Sequence, residues 1–138
     1  MSQIILFNKP YGVICQFSPD GQHPTLKDYL SIPHIYPAGR LDTDSEGLLL
    51  LTDDGKLQHY LSSPSHKQAK IYWVQVEGVP TAAALLALQH GVQLKDGLTR
   101  PAGARIIPPP AQLWQRTPPI RERKNIPTTW LDITLHEG

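Results

Sequence analysis

GRLDTDSEGLLLLTDDG, residues 39–55, joins a carboxylate-rich turn to an apolar run, and the reading of the whole chain starts from it. Leu48–Thr52 is uninterrupted and of strand length, which predicts a strand buried on both faces. Asp53-Asp54-Gly55 closes it with turn chemistry. Ahead of it stand a glycine, a permanently charged guanidinium, a large apolar residue and a carboxylate, Gly39-Arg40-Leu41-Asp42. A rigid strand directly behind such a group can hold the carboxylate at the edge of a cleft.

The same spacing invites a metal reading. Asp42, Asp44 and Glu46 fall on positions 1, 3 and 5 of a calcium-loop template, Gly47 on position 6 and Asp53 on position 12. Position 9 is then Leu50, and position 12 is the short Asp in place of a bidentate Glu. Pro37, Gly39 and the strand-like LLLLT also leave no room for flanking helices. The six histidines lack the close pairing of a zinc site, and the lone Cys15 cannot build a thiolate cluster. No metal is implied.

Upstream, Ile4–Phe7 and Val13–Phe17 are β-branched and aromatic runs joined by the turn chemistry of Asn8-Lys9-Pro10-Tyr11-Gly12, predicting two strands. Thr25 offers an N-cap for a brief helix over Leu26–Leu30. Downstream, Leu57 and Leu61 suit a short helix over Lys56–Leu61, and Ile71–Val76 alternates as a strand. Thr81–Gln89 is Ala- and Leu-rich, follows a cap at Thr81 and stops at Gly91, which predicts a helix. Val92–Leu94 and Ala102–Ile107 flank the turn Lys95-Asp96-Gly97, and Trp130–His136 reads as a final strand. Five of the fourteen prolines fall within residues 108–119, predicting a loop of polyproline character. Strands outnumber helices and hairpin-type connections dominate. The expected fold class is α+β, a mostly antiparallel mixed sheet with short flanking helices, built as one domain over residues 1–138.

Composition narrows the setting. No apolar run approaches the roughly 18 residues of a membrane span, and the beginning lacks a basic n-region. One cysteine forbids an internal disulfide and fits the cytoplasm; its simplest role is a small semi-apolar filler. Net charge is +1, with −2 over residues 1–99 and +3 over residues 100–138. The densest basic cluster is Arg116, Arg121, Arg123 and Lys124, opposed only by Glu122.

GRLD, a short polar spacer, GLLLLT and a DG turn together resemble the signature of pseudouridine synthases acting on bacterial ribosomal RNA. LFNKPYGV (6–13) resembles the family's opening strand and turn, and KIYWVQV (70–76) the strand bearing its active-site tyrosine. PPIRERKNIPTTWLDITLHEG (118–138) is similar to a segment typical of the E group of that family. The resemblance implies isomerisation of a uridine in 23S ribosomal RNA, without a cofactor, a separate N-terminal RNA-binding module or an obligate protein partner. Asp42 is then the catalytic carboxylate. It attacks C1′, attacks the base, or takes a sugar proton. Tyr72 would stack on the target uracil, which must leave its helix to react.

Lys9, Arg40 and Lys70 are candidate phosphate contacts, with Arg40 equally able to pair with an acidic neighbour. Arg121, Arg123 and Lys124 are candidates to grip RNA from a loop, while Asp44, Glu46, Asp53 and Asp54 read as turn and surface carboxylates. In the family a strongly basic stretch follows the glycine equivalent to Gly138 and supplies a positive partner for the carboxylate. The resemblance therefore implies a chain stopping short of a full catalytic core, with an open sheet edge beside Trp130–His136. The competing readings are a non-catalytic RNA-binding module of the same fold and an inactive fragment.

Overall fold

The computed structural model describes residues 2–63, 69–120 and 125–136. The chain divides into two compact units, Met1–His66 and Lys67–Gly138.

The first unit is built on β1 (Ile4–Lys9), β2 (Tyr36–Pro37) and β3 (Gly47–Thr52), ordered β1-β3-β2 and antiparallel throughout. Opposed residues in a ladder share a face. Ile5 lies across from Leu51, Phe7 from Leu49 and Lys9 from Gly47. That face meets a core of Val13, Cys15, Leu26, Ile35, Leu49 and Leu51, with Leu30 and Leu41 packed at its margin. On the other face Leu6 and Leu48 are 70% and 65% exposed, so β3 is not buried on both sides at its start, as its apolar run had predicted.

Val13–Phe17 also departs from expectation. It makes a single parallel bridge, Ile14 to Thr25, and no ladder with β1. Its own chain bends, Gln16 N donating to Ile14 O at 2.8 Å, while Ile14 N and Leu26 N bond Pro24 O and Gln16 O across to the next segment. Val13 and Cys15 are nonetheless buried, so the apolar run marks chain that enters the core without pairing as a strand.

Thr25 caps a 3₁₀ turn, Leu26–Asp28, shorter than the helix expected there, in a capping box closed by Thr25 N donating to Asp28 Oδ2 at 2.9 Å. Helix α1 (Gly55–Ser62) extends the predicted span by a residue at each end. Asp54 is its cap: Oδ1 accepts from Lys56 N and Leu57 N at 3.0 and 3.2 Å, and Oδ2 accepts from Ser2 Oγ at 2.8 Å.

In the second unit β4 (Lys70–Glu77), β7 (Gly103–Ile107) and β8 (Thr128–Leu135) form an antiparallel sheet ordered β4-β8-β7. Helix α2 (Ala82–His90) lies between Thr81 and Gly91 as expected, and Gln89 Nε2 donates to Ala104 O on β7 at 2.9 Å. The Lys95-Asp96 turn joins β5 (Gln93–Leu94) to β6 (Gly97–Leu98), a two-residue hairpin. Ala102–Ile107 is therefore not the partner of Val92–Leu94; its strand pairs with β8. Thr99 closes the small hairpin, donating its amide to Val92 O and accepting from Val92 N at its hydroxyl. Pro101 follows without an amide to continue the ladder. Trp130–His136 forms no open edge, because β8 has a partner on each side. The α+β class and its mostly antiparallel pairing are as expected, the Ile14–Thr25 bridge being the parallel exception among the described residues.

Lys9 is the unusual member of the first core. Its side chain is 0% exposed, and Nζ donates to Val13 O at 2.8 Å, Pro10 O at 2.9 Å and Thr43 O at 3.4 Å. It was expected to contact phosphate, but the period of two that sends Ile5 and Phe7 inward sends Lys9 inward too. Burial pushes its pKa below the ordinary lysine value, while Cys15, Glu46, Asp44 and Asp42 push it back up.

Two outcomes are expected. Lys9→Met takes the ammonium from Pro10 O and Val13 O, while Thr43 O keeps Gly12 N, and should lower unfolding free energy in urea by about 1–3 kcal/mol; an unchanged midpoint would show that relief from burying a charge cancels the loss. Asp54 is lowered below its ordinary 3.8, by the Ser2 hydroxyl and then by the Leu57 and Lys56 amides against some desolvation. Its contribution is complete above that ordinary value and lost as pH falls through the lowered one. Thermal melts down the acid range should show Asp54→Asn keeping the cap and losing less stability on acidification than the parent.

Candidate active site

Asp42 sits on the loop between β2 and β3, and the first unit grips that loop at several points. Leu41 packs against the core, and its amide donates to Cys15 Sγ at 3.4 Å. Asp42 O accepts from Ser45 N at 3.0 Å, which turns the chain. Thr43 O accepts from Gly12 N at 2.7 Å and from the Lys9 ammonium. Gly12 has φ +86°, a conformation other residues rarely adopt, and this points its amide at Thr43 from the turn after β1. On the β2 side, Gln58 Nε2 of α1 donates to Pro37 O at 3.0 Å and Ala38 N to Leu50 O at 2.8 Å.

The side chain at the centre is treated differently from its backbone. Asp42 is exposed, and among the described residues no hydrogen bond or ion pair reaches its carboxylate. Arg40 is exposed too and forms no ion pair with an acidic neighbour among those residues. Lys9 and the Asp42 loop are thus brought together, with Lys9 beneath the loop as a tether, while Arg40 and Asp42 face solvent. Asp53 and Asp54 hold other parts of the unit: Asp53 Oδ1 accepts from Gln3 N at 2.9 Å, and Asp54 caps α1. Among the described residues no three His, Cys, Asp or Glu side chains cluster as metal ligands, and 47–52 of the calcium-like segment is strand.

In the second unit Lys70 and Tyr72 stand on β4. Tyr72 is half-buried opposite Ile133, which lies opposite Ala104, so its ring shares the face that carries the buried Leu131 and Ala104. Lys70 is exposed. Arg121, Arg123 and Lys124 lie outside the described residues.

Two participants were not expected from sequence. Cys15 is an acceptor for Leu41 N as well as a core filler, and Thr43 contributes a carbonyl on which two donors converge. Contacts between segments some thirty residues apart leave no local pattern. Lys9 did leave one, its parity with Ile5 and Phe7.

A model of the RNA pseudouridylate synthase family matches residues 3–138. The chain is similar to ribosomal large subunit pseudouridine synthase E of Xanthomonas axonopodis pv. citri, 56% identical over 137 residues that cover 98% of this chain and 72% of the relative. It is similar to the protein of the same description in Vibrio vulnificus, 56% identical over 136 residues, 99% of this chain and 58% of the relative. A solved structure described as a crystal structure of pseudouridylate synthase aligns with a TM-score of 0.75 at 28% identity, over 100% of this chain and 53% of the other. No helix among the described residues is long and apolar enough to cross a membrane. With family, relatives and fold in agreement over nearly its whole length, the chain belongs to the RNA pseudouridylate synthase family.

Proposed function

We propose that the protein converts a uridine of 23S ribosomal RNA to pseudouridine in the cytoplasm, with Asp42 as the catalytic carboxylate. The observation that carries this reading is an exposed Asp42 on a loop whose backbone is tied to a buried core, in a chain 56% identical to proteins described as large subunit pseudouridine synthase E. The reaction breaks the uracil N1–C1′ bond, turns the base and joins C5 to C1′. The C5 hydrogen leaves to water and N1 gains a proton, so no redox partner is required. A carboxylate beside the sugar stabilises positive charge at C1′, adds covalently, or takes a proton.

Tyr72 is the aromatic residue assigned to the uracil by its place in KIYWVQV. Arg40 and Lys70 are exposed cations available to phosphates, and Arg121, Arg123 and Lys124 complete the proposed RNA contacts. Lys9 leaves that set, since its three carbonyl bonds occupy its ammonium.

Ribosomal RNA tritiated at uridine C5 should release label into water when incubated with the 138-residue chain or the protein its full reading frame encodes. Tight RNA binding with no release by either would favour a non-catalytic binding module. Release from small-subunit RNA alone would move the substrate.

Asp42→Asn keeps the shape of the side chain and removes its capacity as nucleophile or base. It should cut release at least about 100-fold and leave RNA affinity and the melting curve within error. Retained turnover would assign the chemistry to another carboxylate.

A further inference from the structure

An exposed carboxylate without a hydrogen-bonded partner is aimed only by the backbone that carries it. On the C-terminal side of Asp42 that backbone is held by Ser45 N and by the two donors on Thr43 O. On the N-terminal side the nearest bond is from Leu41 N to Cys15 Sγ. The sulfur is itself well placed. Ile14 N bonds Pro24 O at 3.0 Å, Leu26 N bonds Gln16 O at 2.9 Å, and Ile14 bridges Thr25, so the main chain on either side of Cys15 is fixed. The thiol is buried among Val13, Leu26, Ile35 and Leu49, and Leu41 packs against the same cluster. A peptide amide at the edge of such a core needs an acceptor, and here water is replaced by a sulfur atom.

We infer that Cys15 is a positioning residue for Asp42: its sulfur, by accepting from Leu41 N, sets the direction in which the carboxylate leaves the loop. This rests on the reading of Asp42 as the catalytic carboxylate. The role uses the sulfur as an acceptor and involves no thiol chemistry. It predicts that an oxygen acceptor in the same place will serve and that a methyl group will not.

The test compares Cys15→Ser, which keeps an acceptor, with Cys15→Ala, which has none; both lose core packing. Amide hydrogen exchange on the 138-residue chain is read first and needs no activity. Leu41 N–H should exchange at least about tenfold faster in the Ala variant than in the Ser variant, with Ile14 and Leu26 amides, bonded to Pro24 O and Gln16 O, protected alike in both. In tritium release, kcat should fall about tenfold or more for Ala, with KM for RNA little changed, and Ser should recover most of it. Equal exchange at Leu41 in the two variants, or equal loss of kcat tracking their melting temperatures, would reduce Cys15 to a packing role and overturn the inference. Full activity in Cys15→Ala beside an inactive Asp42→Asn would overturn it while leaving the catalytic carboxylate in place. An active Asp42→Asn would remove both.

Discussion

An ammonium taken out of water has to be surrounded by acceptors, and in the first unit that requirement organises three stretches of chain. Lys9 leaves the end of β1 on its inward face and gathers carbonyls from Pro10, Val13 and Thr43. Two of these belong to the turn after β1, and the third belongs to the loop that carries Asp42. Without the charge at their centre, the Pro10 and Val13 carbonyls would lose this donor, and Thr43 O would keep only Gly12 N. The charge costs free energy to bury, consistent with a pKa lowered chiefly by desolvation, and each bond it makes offsets part of that cost. Because the partners lie far apart in sequence, the balance holds only when the β1 turn and the Asp42 loop are seated together.

The same arrangement separates the duties of backbone and side chain at the candidate site. The hydrogen bonds that fix the loop act on main-chain atoms, the Leu41 amide, the Asp42 carbonyl and the Thr43 carbonyl, and the Leu41 side chain adds its packing on the core. The Asp42 carboxylate is left uncommitted among the described residues. A carboxylate with the proposed role at a sugar is better held this way than by direct hydrogen bonds, which substrate would have to break. Arg40 and Leu41, adjacent in sequence, divide along the same line, one exposed and the other packed on the core.

Much of this was legible in the residues, for reasons that differ from element to element. Helix α2 was readable because Thr81, an Ala/Leu run and Gly91 are local signals that agree. β4 was readable from its alternation and α1 from its leucine spacing, while its cap at Asp54 had been read only as a turn and surface carboxylate. Val13–Phe17 misled because burial and pairing share one pattern. The bend at Gln16 and the bonds to Pro24 and Leu26 depend on partners that no periodicity announces. Leu48 misled because a run of leucines records hydrophobicity and not which face is covered. At the candidate site, the carboxylate was singled out through a motif, whereas Cys15 and Thr43 make contacts that exist only once the chain has folded. Lys9 is the instructive failure: it was assigned to the turn after Ile4–Phe7 and to phosphate, whereas β1 runs on through it and its period of two turns the side chain inward.

The strand order β4-β8-β7 has a consequence for how this chain is made. Among the described residues β4 finds its sheet neighbour only in β8, with Lys70 opposite Leu135 and Glu77 opposite Thr128. A ribosome producing the chain in order releases Ile71, Trp73 and Val74 long before Leu131 or Ile133 has been polymerised. During that interval the most regular strand in the sequence has its amides and carbonyls unpaired, beside side chains that remain 66% exposed at Ile71 and 55% at Trp73 even in the finished sheet. Pairings closed over such distances form slowly, and an unpaired apolar strand is a template for wrong partners. The nascent polypeptide therefore passes through a stage at which a chaperone has more to hold than it will find on the folded product.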